Sequence, residues 1–287
     1  MPKESPLFSV IVPTCNRPRD LSICLGRLVS GFQTLDHSLY EVIVSDDSSG
    51  IELERIVKEN FPWVVFLQGP RRGPASNRNH AATAARGEWL VFVDDDCLPE
   101  PGLLEAYSRA IAEFPTVIVF EGKTVPLGNR QRLDEHCPDN QTGGKLWSCN
   151  FAIKAKNFKT IGGFDDNFPY AAFEDIEFCI RLNKSRVKIA FCENAVVFHP
   201  WRKDKGFKFW FYAIDSLVFL IKKHPDQKKY FSLTMNIKIF IGTFYKYFFS
   251  QFIVLNGRGG GIELLTMLWI FLVKIYKINF LAKLNKS

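Results

Sequence analysis

Residues 90–99 read Leu-Val-Phe-Val-Asp-Asp-Asp-Cys-Leu-Pro, an apolar, strand-like stretch that stops abruptly at the carboxylates of Asp94, Asp95 and Asp96. Three adjacent acids repel one another, and each keeps its charge cheaply only where water, hydrogen-bond donors or a cation answers it. One divalent ion would answer all three. Magnesium and manganese prefer oxygen ligands and commonly join one or two carboxylates to the phosphates of a substrate, so a nucleotide diphosphate is the natural partner. Position adds to the argument, because ligands of open α/β sheets sit beyond the carboxyl ends of parallel strands. The plainer alternative is a solvated turn capping a helix near Pro101, since Asp is a common cap and loop residue.

The first half of the chain repeats the same design. Short apolar runs at residues 9–12, 41–45, 64–67, 89–93 and 117–120 alternate with amphipathic stretches, the pattern of a βαβ succession around a mainly parallel sheet. Leu21, Cys24, Leu25, Leu28 and Val29 recur at helical spacing, as do Leu53, Ile56 and Val57. An alanine-rich helix is expected over 75–85, stopped by Gly87. From 122 to 144 the pattern gives way to Pro, Gly, Asn and charge, as in a long loop. A strand over 146–153, a Gly162-Gly163-Phe164-Asp165 turn, a short helix over 174–182 and a strand over 195–198 follow.

Composition fits one large or two small globular domains: 287 residues, 47% hydrophobic and 23% charged, leave ample material for a core. The N-terminal residues enter a strand without a basic region and a long apolar stretch, so no export signal is expected. Seven scattered cysteines without a Cys-x-x-Cys pair read as reduced thiols in a cytosolic compartment. Charge is uneven. Residues 1–201 hold 22 Lys and Arg against 26 Asp and Glu, whereas residues 202–287 hold 15 against 4. That basic tail contains two long apolar, aromatic runs, 233–255 and 262–280, interrupted by Lys238, Lys246, Lys274 and Lys277. A spanning helix wants about 20 mostly apolar residues without central charge. Interfacial helices facing anionic headgroups, or a re-entrant pair turning at residues 257–261, fit better, and the competing reading is a helical subdomain packed on the protein itself. Nucleic-acid binding has only the tail's charge in its favour, without a recognised motif.

Four segments converge on one chemistry: Pro13-Thr14-Cys15-Asn16-Arg17 after the first strand, Asp46-Asp47-Ser48-Ser49 after the second, the acidic triplet, and Glu174-Asp175-Ile176-Glu177. In this order the chain, from about Phe8 to His199, resembles the inverting glycosyltransferases of the GT-A fold, family 2. The resemblance implies a mainly parallel, Rossmann-like nucleotide-binding sheet flanked by helices, here with a C-terminal helical, membrane-associated extension. It implies transfer of a sugar from a nucleotide-diphosphate donor to a glycan or lipid-linked acceptor, in cell-surface polysaccharide biosynthesis, aided by Mn2+ or Mg2+.

By the same resemblance Pro13, Thr14 and Asn16 lie along the nucleotide, and Asp47 accepts from the imide of the base. A Gly73-to-Asn79 stretch containing Arg78 precedes the family's Asp-x-Asp, matched by Asp94 and Asp96. Asp96 is placed on the metal and Asp94 on ribose and metal, with Asp95 the ambiguous middle member near the nucleotide. Asp175 takes the role of catalytic base, with Glu174 and Asn150 on the acceptor side. A carboxylate is a sensible base, because an acceptor hydroxyl is a poor nucleophile until its proton is taken. Without the resemblance, acids steadying a helix N-terminus are the favoured reading of Glu174, Asp175 and Glu177.

Other residues stay open. His199 is a candidate metal or diphosphate ligand and also a common kind of structural histidine. Arg71, Arg72 and Arg78 suit phosphates or solvent, and Trp147 and Tyr170 suit a sugar ring or the core. Cys97 and Cys149 lack a base partner for nucleophilic work. The expected organisation is a catalytic domain over 1–205, with a nucleotide-binding half to about 121 and an acceptor half over 122–205. Residues 206–287 then associate with the inner face of the cytoplasmic membrane. A sugar-1-phosphate nucleotidyltransferase is the rival enzyme, but it should carry a Gly-rich loop after the first strand, where 13–18 has no glycine. A noncatalytic membrane adaptor is the third reading.

Overall fold

The computed structural model describes residues 5–231, 233–243, 245, 258 and 260–277. The chain divides into two compact units. The first comprises Met1–Leu127, Pro138–Asp166 and Glu174–Pro200, and the second comprises Gly128–Cys137, Asn167–Phe173 and Trp201–Ser287.

The first unit is built on strands β1 (Phe8–Thr14), β2 (Tyr40–Asp46), β3 (Val65–Gln68), β4 (Trp89–Val93), β5 (Leu98–Pro99), β6 (Val119–Pro126), β8 (Asn150–Lys154) and β9 (Ile189–His199). Their spatial order is β3-β2-β1-β4-β8-β6-β9-β5. The first four are parallel. β8 lies antiparallel to β4 and β6, β9 runs parallel to β6, and the short β5 is antiparallel to β9. The parallel half has the 3-2-1-4 order of a nucleotide-binding sheet, in which the chain reverses direction across the sheet between β1 and β4.

Alternation along these strands divides the core. Val10, Val12, Val42, Val44, Val91 and Val93 belong to one buried cluster, with Leu21, Cys24 and Leu25 of α1 (Pro18–Gly26), Leu53 and Val57 of α2 (Glu52–Asn60), and Leu103 and Tyr107 of α4 (Leu103–Glu113). Ile11, Ile43, Leu90 and Phe92 point to the other face, onto Ala75 and Ala81 of α3 (Pro74–Thr83), Phe158 of α5 (Ala155–Ile161), and Phe178 and Leu182 of α6 (Glu174–Lys184). Both faces of β1, β2 and β4 are therefore covered, and for that reason their sequences are nearly continuous apolar runs. On the second face Phe92 stacks on Phe151 at 4.7 Å and meets Phe158 and Phe164 at 5.2 and 5.5 Å.

The predicted α/β sheet is present, with differences that have local causes. β6 runs past Gly122 to Pro126 because β9 keeps pairing with it across a register shift, and Thr124 exchanges two backbone bonds with Asn140. β8 starts at Asn150 and not at 146, because the Trp147 carbonyl accepts from Asn150 N–H in a turn. The acids do not cap a helix near Pro101: Cys97 N–H closes a turn onto the Asp94 carbonyl, β5 follows, and α4 begins only at Leu103. α5 is an addition. Gly162, left-handed at φ +88°, caps it, with its own N–H on Lys159 and that of Gly163 on Phe158.

The second unit contains the small ribbon of β7 (Glu135–His136) and β10 (Arg202–Lys203), and helices α7 (Gly206–Lys223), α8 (Leu233–Thr243) and α9 (Gly260–Lys274). Ala213, Ile214, Leu217 and Leu220 form the buried side of α7. Of the expected tail features, Lys246, most of 244–255, Gly257 and Gly259 of the re-entrant turn, and residues 278–280 lie outside the described residues. Among the described residues no helix is long and apolar enough to cross a membrane.

Candidate active site

The carboxyl ends of β1, β2 and β4 are joined by polar side chains before any ligand is considered. Thr14 closes β1, and its hydroxyl donates to Asp95 Oδ2 at 2.7 Å. Asn16, at φ +55°, donates its backbone N–H to Ser48 Oγ at 2.7 Å, and Ser48 in turn donates its hydroxyl and its N–H to Asp46 Oδ1. Asn77 of α3 donates to the carbonyls of Thr14 and Ser45 at 3.2 and 2.8 Å. Pro13 is buried within the strand, and Asn16 is exposed at its end.

Asp47 accepts from the N–H groups of Arg71 and Gly73 at 2.9 and 3.0 Å. Burial raises its carboxyl above the usual range against those two bonds. Gly69 must be a glycine for this arrangement, because a Cβ there would stand 2.3 Å from Asp47 Oδ1 and 2.9 Å from the Asp46 backbone.

The three acids of the triplet have different partners. Asp95 is buried between Thr14 and the Arg17 guanidinium, whose Nη1 lies 2.9 Å from Oδ1. Burial pushes its carboxyl up to about 6, with Arg17 pulling the other way. Asp94 is the more open member and receives Arg78 Nη2 at 2.6 Å. Asp96 faces His199 Nε2 at 3.3 Å through Oδ1 and Arg17 at 3.3 Å through Oδ2.

His199 ends β9 with Nδ1 at 2.8 Å from the Pro200 carbonyl. A carbonyl can only accept, so Nδ1 carries the proton and a neutral ring turns the lone pair of Nε2 towards Asp96. Two acceptors so placed want a proton or a cation between them. A ring N–H held by a backbone carbonyl is also the usual support of a metal-binding imidazole. Ligand atoms of Asp96, Cys97 and His199 lie within 4.8 Å of one another. Contact with Cys149 and burial raise the Cys97 thiol well above its ordinary pKa. The carboxylate and the imidazole of this set are ligands that manganese accepts.

Arg78 joins the two halves of the constellation. Its side chain is buried in α3, with Nη2 on Asp94, Nη1 3.5 Å from Glu174 Oε1, and the guanidinium 5.5 Å over the Phe164 ring. Asp94 and Glu174 keep it firmly charged against burial. Beside this pair is Asp175, whose Oδ1 accepts from Ile176 N–H at 2.8 Å. Burial first, and then the charge of Glu174, push the Asp175 carboxyl up to about 7, with Arg78 opposing them. A carboxyl poised near neutrality in a site of this kind suits proton transfer.

Three residues expected to touch ligand are committed to the protein. Arg78 is the buried clamp just described. Asn150 receives the Tyr107 hydroxyl at 2.8 Å and donates to the carbonyls of Lys123 and Ala195 at 3.0 and 2.9 Å, which ties β8 into the sheet. Trp147 packs on the first core cluster and donates its indole N–H to Asp139. Tyr170, in the second unit, stacks on Tyr212 at 4.9 Å, and Ser216 holds both its N–H and its carbonyl.

Residues beyond the expected set also shape the site. Asn79 grips the Gly-Gly-Phe-Asp turn, donating to the Phe164 carbonyl at 2.7 Å and accepting its N–H at 2.9 Å. Asn77 and Asn79 belong to a run of polar residues, Ser76 to His80, in a helix otherwise rich in alanine, and that run is the signal in the sequence that points to both.

The family model described as glycosyl transferase family 2 matches residues 9–167, and one described as the N-terminal domain of galactosyltransferase matches 135–200. The chain belongs to glycosyl transferase family 2. A glycosyltransferase of Haemophilus influenzae described as uncharacterised is 31% identical over 193 residues, 61% of this chain and 62% of that protein. The GalNAc(5)-diNAcBac-PP-undecaprenol beta-1,3-glucosyltransferase of Campylobacter jejuni is 36% identical over 96 residues, 32% of this chain and 30% of its own length. Chondroitin synthase of Escherichia coli is 25% identical over 239 residues, 67% of this chain and 34% of its own length. This family member thus spans less than two thirds of each of these relatives.

Solved structures share its GT-A fold. The mannosyltransferase PcManGT of Pyrobaculum calidifontis, in complex with GDP-Man and Mn2+, superposes with a TM-score of 0.61 at 15% identity, covering 96% of this chain and 87% of that one. GalNAc-T7 with UDP, GalNAc and Mn2+ gives 0.62 at 16% identity, covering 78% and 50%.

Proposed function

We propose that the chain transfers a sugar from a nucleotide-diphosphate donor to a hydroxyl of a glycan or lipid-linked acceptor, with inversion, in the building of a cell-surface polysaccharide. The observation that carries this reading is the Arg78 clamp, which ties the open acid at the end of β4 to the Glu174–Asp175 pair and so sets a raised carboxyl beside a donor site. Family membership supports the transferase chemistry. The relatives named for an undecaprenol-diphosphate-linked glycan and for chondroitin support the acceptor class.

In this account Pro13, Thr14 and Asn16 border the nucleotide, and Asp47 adds a base contact through lone pairs that the Arg71 and Gly73 bonds leave over. Asp96 and His199 hold a divalent cation, with Asp94 towards the ribose and the cation. The cation, when bound, offsets the negative charge that develops on the departing diphosphate. Asp95 braces the set through Thr14 and Arg17 and is not itself a ligand. Asp175 takes the proton of the acceptor hydroxyl as it attacks the anomeric carbon from the face opposite the diphosphate, and this single displacement inverts the centre. Burial, and then the charge of Glu174 held by Arg78, raise the Asp175 carboxyl to about 7.

The catalytic portion is taken as residues 1–205 and the membrane-facing portion as 206–287. The latter docks peripherally on the inner face of the cytoplasmic membrane. Exposed Phe207, Phe211, Leu268, Trp269 and Leu272 supply apolar contacts, and the tail's lysines supply attraction to anionic headgroups. A panel of nucleotide sugars, scored for released nucleoside diphosphate with Mn2+ and with EDTA, tests the reaction. Release from at least one donor, lost with the chelator, is expected; release undiminished by chelation would remove the cation from the account.

A further inference from the structure

Arg17 closes the Pro-Thr-Cys-Asn-Arg segment, and the reaction outlined above uses it only as a brace on Asp95. Its side chain is 39% exposed, whereas those of Asp95 and Asp96 are 4% exposed. One nitrogen, Nη1, bridges the two acids, at 2.9 Å from Asp95 Oδ1 and 3.3 Å from Asp96 Oδ2. Asp96 is thereby shared, one oxygen facing the guanidinium and the other facing His199 Nε2. A monovalent cation on a long stem therefore neutralises the carboxylate that the donor site offers to a divalent ion.

We propose that Arg17 is an interim counter-cation: it holds Asp95 and Asp96 while the site is empty, yields Asp96 when a divalent ion arrives, and turns to the donor's diphosphate. This rests on the donor-site reading above. Three physical points carry it. A guanidinium at 3.3 Å from Asp96 and a divalent ion on the same carboxylate repel one another, so both cannot hold it at full strength. Only Asp96 is yielded: its contact is the longer one, at 3.3 Å, while the buried Asp95 keeps Arg17 Nη1 at 2.9 Å and the Thr14 hydroxyl at 2.7 Å. The planar fork of a guanidinium also matches phosphate oxygens, the new charge that enters with the donor. The consequence is ordered binding: the ion alone binds weakly, and ion and diphosphate together bind well because the displaced arginine finds a partner.

The opposite role, in which Arg17 orients Asp96 for the ion, predicts the opposite sign, so titration separates them. Mn2+ alone is titrated by calorimetry and by the loss of the free-ion paramagnetic resonance signal, first into wild type and then into Arg17→Met and Arg17→Lys. Removal of the charge is expected to tighten Mn2+ binding about tenfold, while the lysine variant stays within about twofold of wild type. Uridine and guanosine diphosphate are then titrated in saturating Mn2+, and the methionine variant is expected to bind whichever is recognised about tenfold more weakly. Circular dichroism checks the fold, and Arg17→Gln replaces the methionine variant if that one misfolds. Unchanged or weaker Mn2+ binding without the charge overturns the proposal while leaving the donor site standing. No Mn2+ binding by wild type overturns both.

Discussion

In the unit that carries the acids, Val10, Ile11, Val12, Ile43 and Phe92 are wholly shut from solvent, and what the strands present at their ends is polar; in the other unit Leu265, Leu268, Trp269 and Leu272 of α9 face outward. Strands β1, β2 and β4 have used their apolar residues in holding a frame, so the chemistry sits where these strands stop. The helical unit retains apolar surface that folding has not used. Under the function proposed above, that apolar surface on a basic background is what meets the membrane. The contrast teaches that hydrophobicity alone does not distinguish a core from a docking face; partners across the fold do.

Four variants can break or sharpen this contrast. Phe92→Ala, at the centre of the ring cluster, should cost about 3–5 kcal/mol in urea unfolding. Arg78→Met should cost a similar amount, about 3–5 kcal/mol, because it strands Asp94 and Glu174 without their cation. An unfolding midpoint equal to wild type would show that the clamp does not stabilise the fold. Asn79→Ala removes two hydrogen bonds to Phe164 and should cost about 1–3 kcal/mol, with transfer impaired through the turn it holds. Leu268→Ser with Leu272→Ser should change stability by no more than about 0.5 kcal/mol per site. The same pair should reduce sedimentation with phosphatidylglycerol vesicles, and a loss of stability like that of Phe92→Ala would instead make α9 part of a core.

Much of the frame was readable because strands buried on both faces write themselves as continuous apolar runs, and the polar residues that stop them mark the site. Thr14, Asp47 and Asp94 to Asp96 stand out for that reason. Less legible were the partners. Arg78 reads as a phosphate contact until α3 is seen to bury it between Asp94 and Glu174, residues 16 and 96 positions away. Asn150 is put on the acceptor side by the family resemblance, yet Tyr107, Lys123 and Ala195 use its amide inside the sheet. α5 is hard to read from the sequence because its seven residues carry only two large apolar side chains, Phe158 and Ile161. Pairings across the fold carry no local period, so neither spacing nor composition announces them.

The central claim is that Asp175 removes the acceptor's proton, and the pH dependence of turnover on wild type and on Asp175→Asn tests it most directly, with donor affinity measured alongside. A base must be unprotonated to act. With its carboxyl near 7, wild-type kcat should be level above that pH and fall about tenfold per unit below it. The asparagine variant should bind donor as wild type does, lose about 10²- to 10⁴-fold in kcat and lose the inflection near 7. An asparagine variant that turns over at the wild-type rate, or that keeps the same inflection, would contradict the account.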